Sequence, residues 1–197
     1  RAFAVASGTS STQAEASLPA LPPFARNKLV FPRSVDENVA FLRAWQAAAG
    51  SAVEVVDFDY HLMWDHYNDP GNMQTARVLQ RDIQALADLG MDGFISCQVQ
   101  RASFPTGLSL CALAATLWNR EQGFEALADD YFATAFGVDG AAVRAYLDRM
   151  TELFDPVYLR GEKPDSAAAA AESLSGVAAH VAAFGPVVAR NLAYGDA

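Results

Sequence analysis

The sequence predicts an α/β fold: two to three parallel βα units, the last part of a TIM-like (β/α) barrel, followed by a helical C-terminal region. Short β-branched and aromatic segments alternate with amphipathic helical patterns up to residue 120, an order typical of parallel strands joined by helical crossovers. Only helical patterns follow. We therefore divide the chain into a linker or partial strand (1–25), a partial barrel (26–120) and a helical region (121–197).

The first clear unit runs from residue 34 to residue 60. Ser34 and Glu37 match a capping box, in which the two side chains satisfy free amides at the start of a helix. The apolar positions behind this box keep helical spacing up to Gly50, and they are Val35, Val39, Leu42 and Trp45. The segment from Ser51 to Tyr60 is β-branched and aromatic, which predicts a buried parallel strand.

The second unit repeats this order of helix and strand. An amphipathic helix begins at Thr75 and ends at Gly90. Its inward-facing positions are Leu79, Ile83 and Leu86. A second buried strand runs from Gly93 to Val99. The segment from Leu108 to Trp118 is apolar nearly all round, so we expect a fully buried helix with Trp118 in the core.

Three helical patterns make up the C-terminal region. Apolar residues occupy one face over 124–136, before Gly137, and again over 143–154, before Pro156. The segment 167–192 is rich in alanine, and we expect its helix to break at Gly185-Pro186.

Composition and charge place the chain among folded, globular proteins. Apolar residues make up 52% and charged residues 19% of the sequence, a balance that excludes intrinsic disorder. The net charge of -9 argues against nucleic acid or an anionic membrane as a partner. No run of roughly 18 consecutive apolar residues occurs, so we expect no segment that spans a bilayer.

Length and cysteine content bear on completeness and compartment. The chain has 197 residues and begins at Arg1 rather than at a methionine, whereas a complete eight-unit barrel has roughly 250 residues. We therefore expect a piece of a longer protein. Cys97 and Cys111 lie in apolar segments without metal-ligand spacing, so we expect two buried free thiols, which slightly favour a cytoplasmic location.

The densest group of polar and aromatic side chains follows the first strand. Asp57, Asp59 and His61 share one face if the extended conformation continues, because side chains alternate along a strand. A carboxylate pair inside an apolar strand is costly unless something binds it, and at the carboxyl end of a parallel strand a ligand commonly does. Aromatic rings such as Tyr60 and Trp64 can cover the C–H face of a sugar while carboxylates accept its hydroxyl groups. We therefore predict a sugar site here.

Gln98, at the end of the second strand, is a candidate partner for the sugar hydroxyls. Two other interpretations stay open. In one, the carboxylates pair with arginine side chains and backbone amides, and so cap the strand and order its loop. In the other, acidic and histidine side chains bind a metal ion that activates water, and the candidate ligands are Asp57, Asp59, His61 and His66. No HExxH motif is present, so our first prediction has no metal site and no cofactor.

The order and spacing of several short motifs resemble a known family. The motifs are Arg26, Asn38, Phe41-Leu42-Arg43-Ala44-Trp45, Val56-Asp57-Phe58-Asp59-Tyr60, Arg81-Asp82-Ile83, Leu89-Gly90-Met91-Asp92-Gly93, Leu117-Trp118-Asn119, Tyr131-Phe132, Phe136-Gly137 and Tyr146. Together they resemble the closing region of a bacterial glycoside-hydrolase-like family of unassigned function, akin to α-glucuronidases and β-N-acetylglucosaminidases.

The resemblance implies a (β/α)8 barrel whose last strands are those predicted above. Its catalytic carboxylates would stand on a middle strand outside this chain, and its late strands would orient the substrate. Related enzymes carry a Trp-Asn pair similar to Trp118-Asn119. The substrate-binding residues that the resemblance and the strand pattern together indicate are Asp57, Asp59, Tyr60, His61, Trp64, Gln98, Gln100 and Arg26.

We therefore expect a parent glycoside hydrolase that acts on a carbohydrate, and an isolated chain without activity of its own. A partial barrel leaves strand edges and an apolar face uncovered, so we expect the remainder of the parent chain or a second copy as a partner. The alternatives are a non-catalytic carbohydrate-binding or protein-interaction module and a metal-dependent hydrolase.

Overall fold

Two parallel strands form the sheet in the part of the chain that the structure, a computed structural model, describes. Strand β1 (Val56–Asp59) pairs with strand β2 (Gly93–Ser96), and the register sets Asp59 opposite Ser96. The Cys97 backbone N–H donates to the Asp59 carbonyl at 2.8 Å and extends the ladder by one bond. A helix lies between the two strands in sequence, so the α/β class and the parallel pairing are confirmed. That the strands belong to a barrel stays a prediction.

The described residues are 18–23, 25–28, 32, 34–63, 69–98, 103–154 and 175–189. Their helices are α1 (Val35–Ala49), α2 (Met73–Ala85), α3 (Leu108–Trp118), α4 (Phe124–Phe136), α5 (Gly140–Phe154) and α6 (Val177–Ala183), with a 3-10 turn at Gly137–Asp139. The predicted helical C-terminal region is thus confirmed in these ranges. Among the helices described, none is long and apolar enough to cross a membrane.

The strands are shorter than predicted. The sequence predicts strands over Ser51–Tyr60 and Gly93–Val99, but the pairing is confined to β1 and β2. Residues 50–53 form a turn in which the Val53 N–H donates to the Gly50 carbonyl at 3.4 Å, and only Val55, whose carbonyl accepts the Asp92 N–H at 2.7 Å, continues the pairing before β1. The described residues between 18 and 28 contain no strand, and the rest of the predicted partial strand lies outside the described residues.

Capping residues define the ends of α1 and α4 as predicted, whereas α2 begins at Met73 and ends at Ala85 rather than running from Thr75 to Gly90, because the backbone after Ala85 forms tighter turns. The Ser34 hydroxyl accepts the Glu37 backbone N–H at 3.2 Å at the start of α1. Helix α1 ends before Gly50 and α4 ends before Gly137, whose φ angles of 76° and 54° lie in the region that favours glycine. Helix α6 ends just before the predicted break in the alanine-rich segment.

The main core lies between helices α2, α3, α4 and α5. Its buried apolar side chains are Met73, Ala76, Leu108, Ala112, Leu127, Ala128, Phe132, Val143 and Leu147. A smaller cluster of Leu62, Leu79 and Ile83 packs against Phe94 of β2, and so covers one face of the sheet. The inward positions predicted for α2 at Leu79 and Ile83 are thus confirmed.

Helix α1 turns a polar face towards the rest of the chain. Arg43 and Gln46 donate to the Leu89 carbonyl at 3.0 and 2.8 Å. Trp45 is exposed. Trp45 keeps the predicted helical spacing but lies outside the buried part of α1, whose one buried residue is Ala40.

Helix α3 is buried on one side only. Its buried positions are Leu108, Ser109, Ala112 and Thr116. Leu117 is half-exposed and Trp118 is 93% exposed. The predictions of a fully buried helix and of Trp118 in the core are therefore wrong, because α2 and α4 cover only one face of this apolar helix.

The loop before α2 connects this part of the fold to α5. Asp69 is fully buried and accepts the Thr75 backbone N–H at 2.8 Å and the Thr151 hydroxyl at 2.5 Å. Its carboxylate therefore stabilises the start of α2 and also holds that end of the helix to α5. Gly71 lies so close to α5 that a Cβ would overlap the Leu147 carbonyl oxygen.

Gly71→Ala is expected to destabilise the fold by about 1–3 kcal/mol, the range typical of overpacking. The added Cβ would overlap the Leu147 carbonyl and the Thr151 side chain. Urea unfolding measures the difference in free energy of unfolding. Gly185→Ala is the matched control, since a Cβ there meets nothing within 4 Å. Equal free energies of unfolding for the two variants would contradict the close approach of this loop to α5.

Candidate functional site

Two of the predicted site residues form a buried pair at the carboxyl end of β1. Asp59 is 6% exposed and His61 is 5% exposed. Asp59 Oδ1 pairs with His61 Nδ1, and Asp59 Oδ2 accepts the His61 backbone N–H at 3.2 Å. The carboxylate at the end of the strand therefore has an internal partner in the turn that follows.

Helix α2 supplies a second carboxylate to the same ring. Asp82 is buried, and its Oδ2 lies 3.0 Å from His61 Nε2. Each ring nitrogen thus faces an acid, and only the doubly protonated imidazolium can donate to both. We name these three residues, Asp59, His61 and Asp82, the Asp–His–Asp cluster.

The surroundings of His61 favour its charged form. Burial alone lowers the pKa of His61, but the hydrogen bonds and charges of Asp59 and Asp82 outweigh it and raise the pKa to about 9. Burial also raises the pKa of Asp57, the charges of Asp59 and Asp82 raise it further, and His61 opposes them. The structure therefore brings Asp59 and His61 into contact, while Asp57 on the same strand face interacts with them through its charge.

The opposite face of the strands is apolar and half-exposed. Phe58 is 52% and Tyr60 is 45% exposed, and their ring centroids lie 5.2 Å apart with 50° between the ring planes. Val56 and Ile95 are also exposed, and the register of the two strands puts them on this face. Tyr60 therefore points away from the side on which the Asp–His–Asp cluster lies.

The remaining predicted residues differ in their placement. Gln98 is exposed beyond the end of β2, and its Nε2 donates to the Ser96 hydroxyl at 3.3 Å. Because Ser96 lies opposite Asp59, Gln98 is at the same end of the sheet as the Asp–His–Asp cluster. Arg26 occupies an exposed turn ahead of α1. The predicted residues outside the described part of the chain are Trp64, His66 and Gln100.

The sequence reasoning missed Asp82 and Phe58. Asp82 stands on the buried face of α2 with Leu79 and Ile83, and a charged residue in such a position signals a buried partner. That signal was present in the sequence. Phe58 alternates with the two aspartates of β1, a pattern that separates the faces of the strand but does not show which of them meets solvent.

The Asp–His–Asp cluster is arranged for charge pairing. Both nitrogens of the His61 ring already face a carboxylate, which leaves neither for a metal ion. Within the residues that the structure describes, no group of three or more His, Cys, Asp or Glu side chains is arranged to hold a metal. The interpretation in which the carboxylates cap the strand expected backbone amides and arginine side chains as their partners. A backbone amide does bind Asp59, but the charged partner is a histidine rather than an arginine.

The two cysteines are free thiols, as predicted, but half-buried rather than buried. The Cys97 thiol donates to the Met63 sulfur at 3.3 Å beside the end of β2. Burial raises the pKa of Cys111, so this side chain is a neutral thiol at pH 7.

No family model, no curated protein and no solved structure matches this chain. The glycoside-hydrolase-like family therefore stays a prediction, and a statement of function has to rest on the site itself.

The free energy of unfolding is expected to fall as the pH rises from the ordinary pKa of histidine, 6.5, to the raised value of about 9. The folded chain binds the His61 proton more tightly than the unfolded chain does. The stabilisation that the His61 proton contributes is therefore complete below the pKa of the unfolded chain, and it is lost as the pH rises through the pKa of the folded chain. A shift of this size corresponds to a loss on the order of 3 kcal/mol.

Urea unfolding at a series of pH values across this window measures the loss. His61→Gln is the matched variant, because it keeps a polar side chain without a titrating ring. We expect its free energy of unfolding to vary much less with pH. A wild-type profile as flat as that of the variant would contradict a buried imidazolium.

Proposed function

We propose that this chain contributes one side of a carbohydrate-binding pocket in a (β/α)-barrel glycoside hydrolase. The observation that carries the proposal is the exposed aromatic pair of Phe58 and Tyr60 at the carboxyl end of β1. In a (β/α) barrel the helix-free face of the strands lines the interior, and their carboxyl ends surround the substrate. Exposed rings at this position offer an apolar surface to a sugar ring.

The geometry of the sheet supports the same interpretation. Strands β1 and β2 are adjacent and parallel, and the cluster of Leu62, Leu79 and Ile83 covers one face. Val56 and Ile95 on the other face are β-branched, like the residues that fill barrel interiors. Further strands of a barrel would cover them.

Polar groups at the same end of the sheet lie on the face that carries Asp59, opposite the aromatic pair, because Ser96 pairs with Asp59. The exposed Gln98 amide, which donates to the Ser96 hydroxyl beside it, offers a donor and an acceptor to a sugar that extends over the strand end. Asp59 and His61 are buried, so we assign them the role of holding the end of β1 in place rather than of contacting the sugar.

The proposal gives the isolated chain a binding role without catalysis. Glycoside hydrolysis needs two carboxyl groups roughly 5–9.5 Å apart, one protonated and one ionised. Of the described acids near the strand ends, Asp59 and Asp82 face the His61 ring, and Asp57 lies within reach of its charge. We therefore assign the catalytic pair to another part of a parent protein.

Tyr60→Ala is expected to weaken sugar binding about tenfold, because loss of a stacked ring removes about 1.4 kcal/mol of binding free energy. Amide NMR titration of the full chain with neutral, amino and acidic monosaccharides measures the affinity. Gln98→Ala is expected to weaken binding as well. Trp45→Ala is the matched control, since Trp45 is an exposed aromatic residue on α1 rather than on the strands.

Two results would count against this proposal. One is an equal affinity of Tyr60→Ala and Trp45→Ala for every sugar that binds the wild type. The other is turnover of aryl glycosides by the isolated chain at a rate comparable to an ordinary glycosidase, which would put a catalytic carboxyl pair inside this sequence.

The exposed apolar face of the sheet is expected to be covered by another part of the parent protein or by a second copy. Light scattering of the isolated chain should therefore give a mass above that of the monomer, and the pair Phe58→Thr with Ile95→Thr should lower it. Val138→Thr is the control, because Val138 is exposed in the 3-10 turn between α4 and α5. A stable wild-type monomer would contradict this expectation.

A further inference from the structure

The turn after β1 is attached to α2 by charge and by apolar contact together. His61 faces Asp59 on one side and Asp82 of α2 on the other, the latter at 3.0 Å. The next residue, Leu62, is fully buried against Leu79 and Ile83 of the same helix. The ring and the leucine therefore hold one turn against one helix.

The charged groups described around this ring are all acidic. Asp57 and Asp59 come from β1 and Asp82 comes from α2, and β2 has no ionisable side chain between Gly93 and Ser96. A neutral imidazole would leave the buried carboxylates of Asp59 and Asp82, with the half-buried Asp57 nearby, without a balancing cation. Like charges repel more strongly in the protein interior than in water, because the interior screens them less.

We propose that the Asp–His–Asp cluster is a protonation-operated clamp, which holds the turn after β1 against α2 and releases it when the imidazole loses its proton. The main core between α2 and α5 contains none of these groups, so the release is local. Opening withdraws Leu62 from Leu79 and Ile83. It also moves Tyr60, which immediately precedes the histidine in the chain.

The direction of the switch follows from the same contacts. The pKa of His61 is raised to about 9, so the clamp is closed at neutral pH and opens on the alkaline side. This behaviour is a property of the fold and does not depend on what the candidate site binds.

The test is an NMR pH titration of the full chain that follows the His61 ring protons together with the methyl groups of Leu62 and Ile83. We expect the ring to titrate near pH 9 and the Leu62 methyl signals to move with the same midpoint. The methyl signals of Leu147, in the main core, should not follow this transition. A ring that titrates at the ordinary value of 6.5, or Leu62 signals that ignore the ring, would overturn the proposal.

A pair of variants separates the clamp from a general effect of charge. Asp82→Asn is expected to lower the pH midpoint of the His61 ring titration by about one pH unit or more, because it removes one of the two carboxylates that face the ring. Asp88→Asn is the matched control, since Asp88 pairs with Arg120 at 3.6 Å on the surface and should leave the midpoint unchanged. An unchanged midpoint in Asp82→Asn would also overturn the proposal. If that variant does not fold, the proposal is tested by the wild type alone, through the comparison of the titration midpoints of the His61 ring and the Leu62 methyl groups.

Discussion

A buried positive charge between two carboxylates determines how β1 meets α2. An isolated ion is costly to remove from water, and here the cost is offset because Asp59 and Asp82 each face a nitrogen of the His61 ring. Since neighbouring side chains on a strand point to opposite faces, turning the aspartates towards the helix turns Phe58 and Tyr60 towards solvent. The polar interior and the aromatic exterior of this strand end therefore have one cause.

The order of the elements could be predicted from local patterns, because a serine cap, a glycine stop and a β-branched run each act over a few residues. The face that each element buries could not. Trp45 and Trp118 keep helical spacing with apolar neighbours, but both are exposed because their helices meet the rest of the fold along other faces. Spacing alone defines a stripe on a helix, and only the neighbouring elements decide which stripe is covered.

The candidate site could likewise be predicted only as far as local patterns reach. Asp57, Asp59 and His61 could be grouped from the alternation of a strand, but the contact with Asp82 depends on the rotation of α2 about its axis, which no local pattern sets. The sugar ligand and the barrel stay predictions. The order of the motifs in the sequence supports them, but two strands do not close a barrel.

The main core takes side chains from both sides of residue 120, with Met73 and Leu108 before it and Phe132 and Leu147 after it. The bond between Asp69 and Thr151 joins positions 82 residues apart in sequence. Contacts of such long range have to close a large loop before they stabilise anything, which slows folding. The βα segments and the helices that follow them thus form one cooperative unit, and a chain cut at residue 120 would be left with half of a core.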